Sequence, residues 1–208
     1  MFKIHTLNGK GRSVIALQNL QKGTTIIKET PLLYAEDAYD AIYQLYNIYD
    51  IETHEDEELK QYQQKQFESL VPYELDSKVI NNNEINEHIK TLPNYMQDFF
   101  NNIPSKRLRL LIAKFYRNAF RNNNDKISRP SSAVLIEGAL LNHSCNNNID
   151  FYVSKNGDYI FETNRDINEG EELCDTYIDT TLSFKKRQLR FRTQYNFICT
   201  CIKCTNNN

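Results

Sequence analysis

Residues 142–145 read Asn142-His143-Ser144-Cys145 and follow an apolar run over residues 133–141. The simplest interpretation is a polar loop, since asparagine and serine favour turns. Its imidazole and thiol are also groups that bind metal ions. A nucleophilic Cys145–His143 pair is an alternative, but we do not expect such near neighbours to face each other as a nucleophile and its base must.

Three of the five cysteines lie within residues 199–204, in the pattern Cys-x-Cys-x-x-Cys. Structural zinc takes four tetrahedral ligands, and thiolates suit this ion. An odd number of cysteines in a chain without a secretory signal favours a metal site over disulfides. The tail therefore supplies three zinc ligands. On spacing alone, the fourth is one of Cys145, Cys174 and His143.

The bulk composition limits the classes of protein to consider. A chain of 208 residues with 40% hydrophobic residues suits one domain with a packed core. Its net charge of -2 argues against direct nucleic-acid binding but not against a basic protein substrate. Neither a membrane span nor an apolar N-terminal signal is visible. We therefore expect an intracellular protein, nuclear or cytoplasmic, that is not secreted.

Strand-like ends enclose a helical middle. β-branched and hairpin patterns predict short strands at residues 13–17, 24–28, 149–153 and 159–163. Apolar residues at three- and four-residue spacing predict helices at residues 38–49, 57–70 and 106–121. The pattern predicts one α+β domain of short β-sheets, with a helical insertion at residues 35–128.

Local features refine this prediction. Ser105 is expected to be the N-cap of the helix that follows it. The asparagine runs at residues 81–83 and 122–124 are expected to form loops. Residues 184–195 have helical spacing, with their basic side chains expected on the solvent side.

Two more motifs complete an ordered series. Gly9-Lys10-Gly11-Arg12 forms a glycine turn before the first predicted strand, and residues 170–177 read Gly-Glu-Glu-Leu-Cys-Asp-Thr-Tyr. In order with residues 142–145 and the cysteine tail, they resemble the SET-domain protein lysine methyltransferases. The segments around Tyr177 and residues 195–199 resemble the SET-and-MYND subfamily in particular. We expect the MYND zinc module to be absent, because no cysteine lies between residues 1 and 144.

The resemblance implies a domain organisation and a ligand set. A SET domain would cover residues 1–198, with residues 35–128 as its helical insertion, and residues 199–208 would form a post-SET zinc tail. The four implied zinc ligands are Cys145, Cys199, Cys201 and Cys204. Where the family usually has proline before Asn148, this chain has Asn147, which alters loop stiffness without removing a reactive group.

The resemblance also implies methyl transfer from S-adenosylmethionine to a lysine of a protein substrate, a histone or another protein. Tyr177 would be the catalytic residue. The implied cofactor-binding residues are Lys10, Gly11, Arg12, Asn142, His143, Tyr177 and Phe197. Tyr177, Tyr195 and Phe197 would line an apolar channel that lowers the pKa of the lysine by desolvation. The alternative is a non-catalytic SET-like module that binds zinc and cofactor and recognises a partner.

Overall fold

A computed structural model describes residues 1–7, 11–47, 53–75, 81–122 and 130–206. The chain divides into two units. Of the described residues, the first unit comprises 1–7, 11–31 and 137–206, and the second comprises 32–47, 53–75, 81–122 and 130–136. Short strands occur in both units, and the longer helices are in the second. The prediction of an α+β protein is confirmed.

The first unit contains two small sheets. One has the order β1 (Phe2–Leu7), β2 (Gly11–Ala16), β10 (Glu172–Asp175), β7 (Asn142–His143). The other has the order β3 (Thr25–Glu29), β9 (Tyr159–Thr163), β8 (Ile149–Val153). The predicted hairpin of β8 and β9 is confirmed with the expected bounds. Strand β1, which pairs antiparallel with β2, was not among the predicted strands.

One pairing in the first sheet positions the candidate site. Strand β10 runs antiparallel to β2 but parallel to β7, where Cys174 pairs with Asn142 and Asp175 with His143. This register brings residues 142–145 beside the segment that leads to Tyr177. Gly11 begins β2 with a φ of 72°. No described atom lies within 4 Å of a Cβ built there, so the torsion and not crowding favours glycine.

The end of the first unit is helical. It contains α6 (Phe184–Arg190), a π-helical turn (Phe191–Tyr195) and the short α7 (Ile202–Thr205). The predicted helix over residues 184–195 therefore changes type in its last turn. Asn196 follows with a φ of 57°, a left-handed conformation that asparagine tolerates better than most residues. It ends the helical path and begins the segment that carries Phe197 and the cysteine tail.

The second unit combines five helices of the described chain with a three-stranded sheet. The helices are α1 (Ala38–Tyr46), α2 (His54–Glu68), α3 (Asn82–Ile89), α4 (Asn94–Asn101) and α5 (Ser105–Asn118). The strand order is β4 (Leu33–Ala35), β6 (Ser132–Val134), β5 (Ala119–Arg121). Asp37 caps α1 through two backbone N–H groups, and Thr53 and Asp56 form a capping box on α2.

Three local predictions for this unit are wrong. Ser105 is the first residue of α5, and Pro104, whose fixed φ suits a helix start, precedes it without a side-chain cap. Residues 119–121 leave the predicted helix because they pair with β6. Asn81 caps α3 and the next two asparagines lie inside that helix, because asparagine is a favourable N-cap. Asn122 is outside any element, and residues 123 and 124 lie outside the described residues.

None of the helices in the described ranges has both the length and the apolar character needed to cross a bilayer.

Candidate active site

Four cysteine sulfurs form a cluster in the first unit. Cys145, Cys199, Cys201 and Cys204 place their Sγ atoms within 4.8 Å of one another. The Sγ of Cys145 lies 4.0 Å from that of Cys199 and 3.6 Å from that of Cys204. Zinc–sulfur bonds of about 2.3 Å in a tetrahedron separate the sulfurs by about 3.8 Å. The donor set and its spacing therefore fit a structural zinc ion.

Of the three candidates for the fourth ligand, the fold places Cys145 in the sulfur cluster. Cys174 is buried on β10 outside the cluster, and His143 contacts a cluster sulfur without being one of the grouped donors. Gln188 of α6 holds the tail in place by donating to the carbonyl of Cys199 (2.8 Å) and accepting from its N–H (3.2 Å). Nothing in the sequence patterns singled out Gln188.

His143 lies between the cluster and the predicted catalytic tyrosine. Its Nδ1 accepts a hydrogen bond from the backbone N–H of Tyr177 (3.0 Å), and its Nε2 lies 3.3 Å from Cys145 Sγ. Burial, with a smaller contribution from Arg187, lowers the pKa of His143 to about 4. The expectation that His143 and Cys145 do not face each other is wrong. Because Cys145 is buried among the other cysteines, this contact suits a metal ligand better than a nucleophile.

Tyr177 is held at both its backbone and its hydroxyl. The hydroxyl donates to the carbonyl of Leu141 (2.6 Å), just before the motif at residues 142–145. Burial, and then the nearby Asp175, raise the pKa of Tyr177, so the hydroxyl stays protonated at neutral pH. The ring lies 5.0 Å from that of Tyr195, whose hydroxyl donates to the Tyr177 carbonyl (3.3 Å).

Phe197 extends this aromatic group. Its ring stacks on Phe191 at 5.0 Å and lies 6.4 Å from the ring of Tyr195 and 6.2 Å from that of His143. Phe191 is fully buried, whereas the other rings are partly exposed. The structure thus brings the three predicted channel residues into one partly accessible cluster beside the cysteines.

Of the predicted cofactor residues at the start of β2, Arg12 bonds to Asn142. Its Nδ2 donates to the carbonyl of Arg12 (2.7 Å), to Ser13 Oγ (2.9 Å) and to Glu172 Oε1 (2.9 Å). Gly11 precedes Arg12, and both are at least partly exposed. Lys10 lies outside the described residues.

Comparison with protein-family models gives a match of residues 11–178 to the SET domain. This chain belongs to the SET domain family. The predicted SET fold is therefore confirmed, and the matched range contains both residues 142–145 and Tyr177. The matched range ends just after Tyr177, before the cysteine tail.

Relatives of this SET domain include a viral protein and an animal protein. The chain is 32% identical to a SET domain-containing protein of Acanthamoeba polyphaga mimivirus, over 94% of this chain and 74% of that protein. It is 33% identical to the histone-lysine N-methyltransferase SMYD3 of Mus musculus, over 49% of this chain but only 23% of that protein. The predicted similarity to SET-and-MYND proteins is confirmed.

Solved SET domain structures share the fold. A crystal structure of the SET domain of LSMT bound to lysine and AdoHcy superposes with a TM-score of 0.57 at 16% identity. The match covers 95% of this chain and 53% of that chain, so the present SET domain spans about half of its length.

The side chain of Asn148 makes hydrogen bonds to β10, which precedes Tyr177. The Asn148 side chain donates to the carbonyl of Glu172 (2.9 Å) and accepts from the N–H of Cys174 (2.8 Å), and it is 3% exposed. These bonds hold β10, and therefore Tyr177, against the loop that begins at Cys145. The motif comparison pointed to the asparagine at this position but not to its structural contacts.

Glu29 orders the entry to the central motif. Its buried carboxylate accepts from the N–H groups of Glu137 (3.1 Å) and Gly138 (2.8 Å). These groups begin the 3-10 turn at Gly138–Leu140, which leads directly into Leu141. The carbonyl of Leu141 accepts a hydrogen bond from the Tyr177 hydroxyl. By ordering the turn before Leu141, Glu29 therefore helps to position Tyr177 without contacting it. A charged residue at the end of a predicted strand gave no reason to expect this role.

Asp175 is a buried carboxyl next to the aromatic cluster. It is 2% exposed and accepts a hydrogen bond from the N–H of Thr176. Burial raises its pKa to about 7; the Thr176 hydrogen bond lowers it and Asp150 raises it. The sequence motif contained this residue, but its position at the end of a short strand did not predict burial.

Proposed function

We propose that this chain is a protein-lysine N-methyltransferase that uses S-adenosylmethionine. The observation that carries the proposal is the fixed position of Tyr177. Its hydroxyl is anchored on Leu141 and its backbone on His143, beside the partly exposed rings of Tyr195 and Phe197. The similarity to a histone-lysine N-methyltransferase, and the lysine and AdoHcy bound to a structure of the same fold, support the same activity.

The residues around Asn142 fit the amino-acid end of the cofactor. S-adenosylmethionine would supply a methyl group on a sulfonium. The two N–H donors of Asn142 Nδ2 are shared among three protein oxygens, which leaves its Oδ1 to accept from the cofactor's ammonium. Arg12 is partly exposed at the adjacent start of β2, where its guanidinium would pair with the carboxylate. Phe197 would cover the cofactor from the tail.

The aromatic cluster suits the chemistry of the lysine. An amine attacks only in its neutral form, and apolar walls favour that form because they desolvate the ammonium. Tyr177 and Tyr195, with ring centroids 5.0 Å apart, would supply such walls. The Tyr177 hydroxyl donates a hydrogen bond to the carbonyl of Leu141. Its oxygen lone pairs therefore remain for weak contacts with polarised methyl C–H groups.

We further propose that zinc binds the four-cysteine cluster and has a structural role. Phe197 lies two residues before Cys199, so an ion that fixes the tail also fixes this aromatic wall. Cys145 directly follows the motif that holds Tyr177. Loss of zinc would therefore displace parts of both the predicted cofactor site and the predicted lysine channel. Residues 199–208 would act as the post-SET tail of a SET domain at residues 1–198.

Transfer of labelled methyl from S-adenosylmethionine tests the activity. Zinc-loaded protein is incubated with mixed core histones and, separately, with a whole-cell protein extract. We expect label on a protein band, and we expect Tyr177→Phe to reduce it by roughly 100-fold, as when one polar group is removed from a reacting centre. Tyr152→Phe is the matched control, because Tyr152 is an exposed tyrosine on β8.

Each outcome has a defined meaning. Label on histones alone would identify a histone substrate, and label only in the extract another protein. If zinc-loaded protein binds S-adenosylmethionine by calorimetry but labels nothing, the non-catalytic module replaces the enzyme. Absence of cofactor binding would reject both interpretations.

A further inference from the structure

Arg187 on α6 is buried against the cysteine cluster, although helical spacing led us to expect the basic side chains of this helix in solvent. That expectation is wrong for Arg187, which is 3% exposed. Its Nη1 donates to the carbonyl of Leu182 (2.6 Å), and its Nη2 lies 3.6 Å from the Sγ of Cys204. Its Nε is buried without a hydrogen-bond partner in the described structure.

The protein groups around Arg187 do not balance its charge. A guanidinium is always protonated, and a buried charge is costly unless an opposite charge lies close to it. Among the described residues, no carboxylate forms an ion pair with Arg187. Its polar contacts are the carbonyl of Leu182 and sulfurs of the cluster, those of Cys204 and Cys145. The side chain is therefore placed as if the sulfur cluster were its anionic partner.

A zinc-loaded cluster would have the required charge. Four thiolates and one Zn²⁺ carry a net charge of about -2. Hydrogen bonds and cations around metal-bound thiolates stabilise that charge and orient the ligands. Two side chains outside the cluster contact its sulfurs: His143 at Cys145 and Arg187 at Cys204. Of these two, Arg187 is the side chain with a permanent positive charge, because a guanidinium does not lose its proton in proteins.

We propose that Arg187 is the charge partner of the metal-bound thiolates and that it increases the affinity of the site for zinc. Arg187 is a positioning residue: it acts on the cysteines and not on the methyl donor or the lysine. This inference rests on the zinc site of the proposed function but not on methyl transfer. It also explains why a basic residue lies on the buried face of α6.

The test compares variants that separate charge from packing. Arg187→Met keeps an apolar stem of similar length without the charge, and Arg187→Lys keeps a positive charge. Lys186→Gln is the matched control, since it removes an exposed charge from the same helix. The zinc dissociation constant of each full-length protein is measured at one pH by competition with a chromophoric chelator. Circular dichroism of the zinc-loaded proteins verifies that each is folded.

We expect Arg187→Met to weaken zinc binding by roughly 10- to 100-fold, the usual effect of removing a group that supports metal ligands. Arg187→Lys should lie closer to the wild type, and Lys186→Gln should change the constant less than about twofold, because an exposed charge is screened. The zinc-loaded Arg187→Met protein should also react faster with iodoacetamide, because its thiolates are no longer beside a cation. Tetrahedral Co²⁺ absorption would verify that the four-sulfur geometry is retained.

Three results would overturn the inference. Equal weakening by Met and Lys would show that packing of the guanidinium matters and its charge does not. Unchanged zinc affinity in folded Arg187→Met would show that the charge has no role at the site. If the wild-type protein binds no zinc, both this inference and the zinc part of the proposed function fail. Methyl transfer is not a readout, so failure of the enzymatic proposal alone would leave these outcomes interpretable.

Discussion

The backbone N–H of Tyr177 donates to Nδ1 of His143 over 3.0 Å. Since this nitrogen accepts, the proton of the neutral ring lies on Nε2, which faces the sulfur of Cys145 at 3.3 Å. One imidazole thus connects the predicted zinc ligand to the predicted catalytic tyrosine. Both contacts are made by the same side chain.

Replacement of His143 tests this connection. His143→Ala should weaken both zinc binding and methyl transfer by roughly 10- to 100-fold, because it removes support from a ligand and from Tyr177. His143→Asn retains an acceptor near Nδ1 and should preserve activity better than zinc affinity. His143→Gln retains a donor near Nε2 and should show the reverse. If all three variants are equally impaired in both assays, ring packing and not the two bonds explains the effect.

Loss of one cluster sulfur should release the metal. We expect Cys145→Ser to lose zinc during dialysis against a chelator that leaves the wild type loaded, because the tail alone supplies three ligands. Cys174→Ser is the control, since this buried cysteine lies outside the cluster. Zinc content is measured by atomic emission. Retention of one zinc ion per Cys145→Ser chain would contradict the assigned ligand set.

Asn148 should be much more important for stability than its neighbour in the same asparagine run. Asn148→Ala leaves the carbonyl of Glu172 and the N–H of Cys174 without their side-chain partner, which we expect to cost about 2–4 kcal/mol. Asn146→Ala, at an exposed position, should change the free energy of unfolding by less than about 0.5 kcal/mol. Urea unfolding measures both. Similar values for the two variants would argue against the fastening of β10 by Asn148.

Asp175 should make the folded chain less stable as pH rises. Its pKa is about 7 in the folded chain against an ordinary value of 3.8, so between these values the folded chain keeps a proton that the unfolded chain has lost. Stability therefore falls as pH rises through this window, and the loss is complete above about pH 7. Because each pKa unit corresponds to about 1.4 kcal/mol, the full effect is at most roughly 4 kcal/mol.

Asp175→Asn should remove this dependence, since an amide keeps the acceptor for Thr176 but does not ionise. The variant should be more stable than the wild type at pH 8 and similar to it near pH 4. Asp98→Asn, at an exposed position on α4, should retain the wild-type profile. Thermal unfolding from pH 4 to pH 8 measures all three proteins. Parallel curves for the wild type and Asp175→Asn would show that the carboxyl does not titrate in this range.

Several parts of the fold and site were predictable because the relevant information is local in sequence. The hairpin of β8 and β9 follows from β-branched runs on either side of a glycine turn. Three cysteines within residues 199–204 indicate a metal site before any fold is known. The motifs also occur in the same order as in the SET-domain family. Each motif alone could match by chance, but all of them in this order are specific to the family.

Other parts depend on tertiary pairing. Spacing could not distinguish Cys145 from Cys174 as a candidate ligand; the fold places Cys145 in the sulfur cluster and Cys174 on β10 outside it. The end of α5 was mispredicted because pairing with β6 overrides helical periodicity in residues 119–121. The burial of Arg187 is a different case, because the helical spacing that indicates its buried position is present in the sequence. Arg187 lies three residues after Phe184 and four before Phe191, on one helical face, but the preference of basic residues for solvent outweighed that pattern.

The distribution of the four sulfurs along the chain has a consequence for refolding. Three lie within residues 199–204, and the fourth is 54 residues before Cys199. The three sulfurs of residues 199–204 stay close in sequence when the chain unfolds, so the unfolded chain would retain part of its affinity for zinc. The ion would then add less to equilibrium stability than it would with four dispersed ligands. It would instead remain with the chain when the fold opens, and Cys145 would return to a metal already in place.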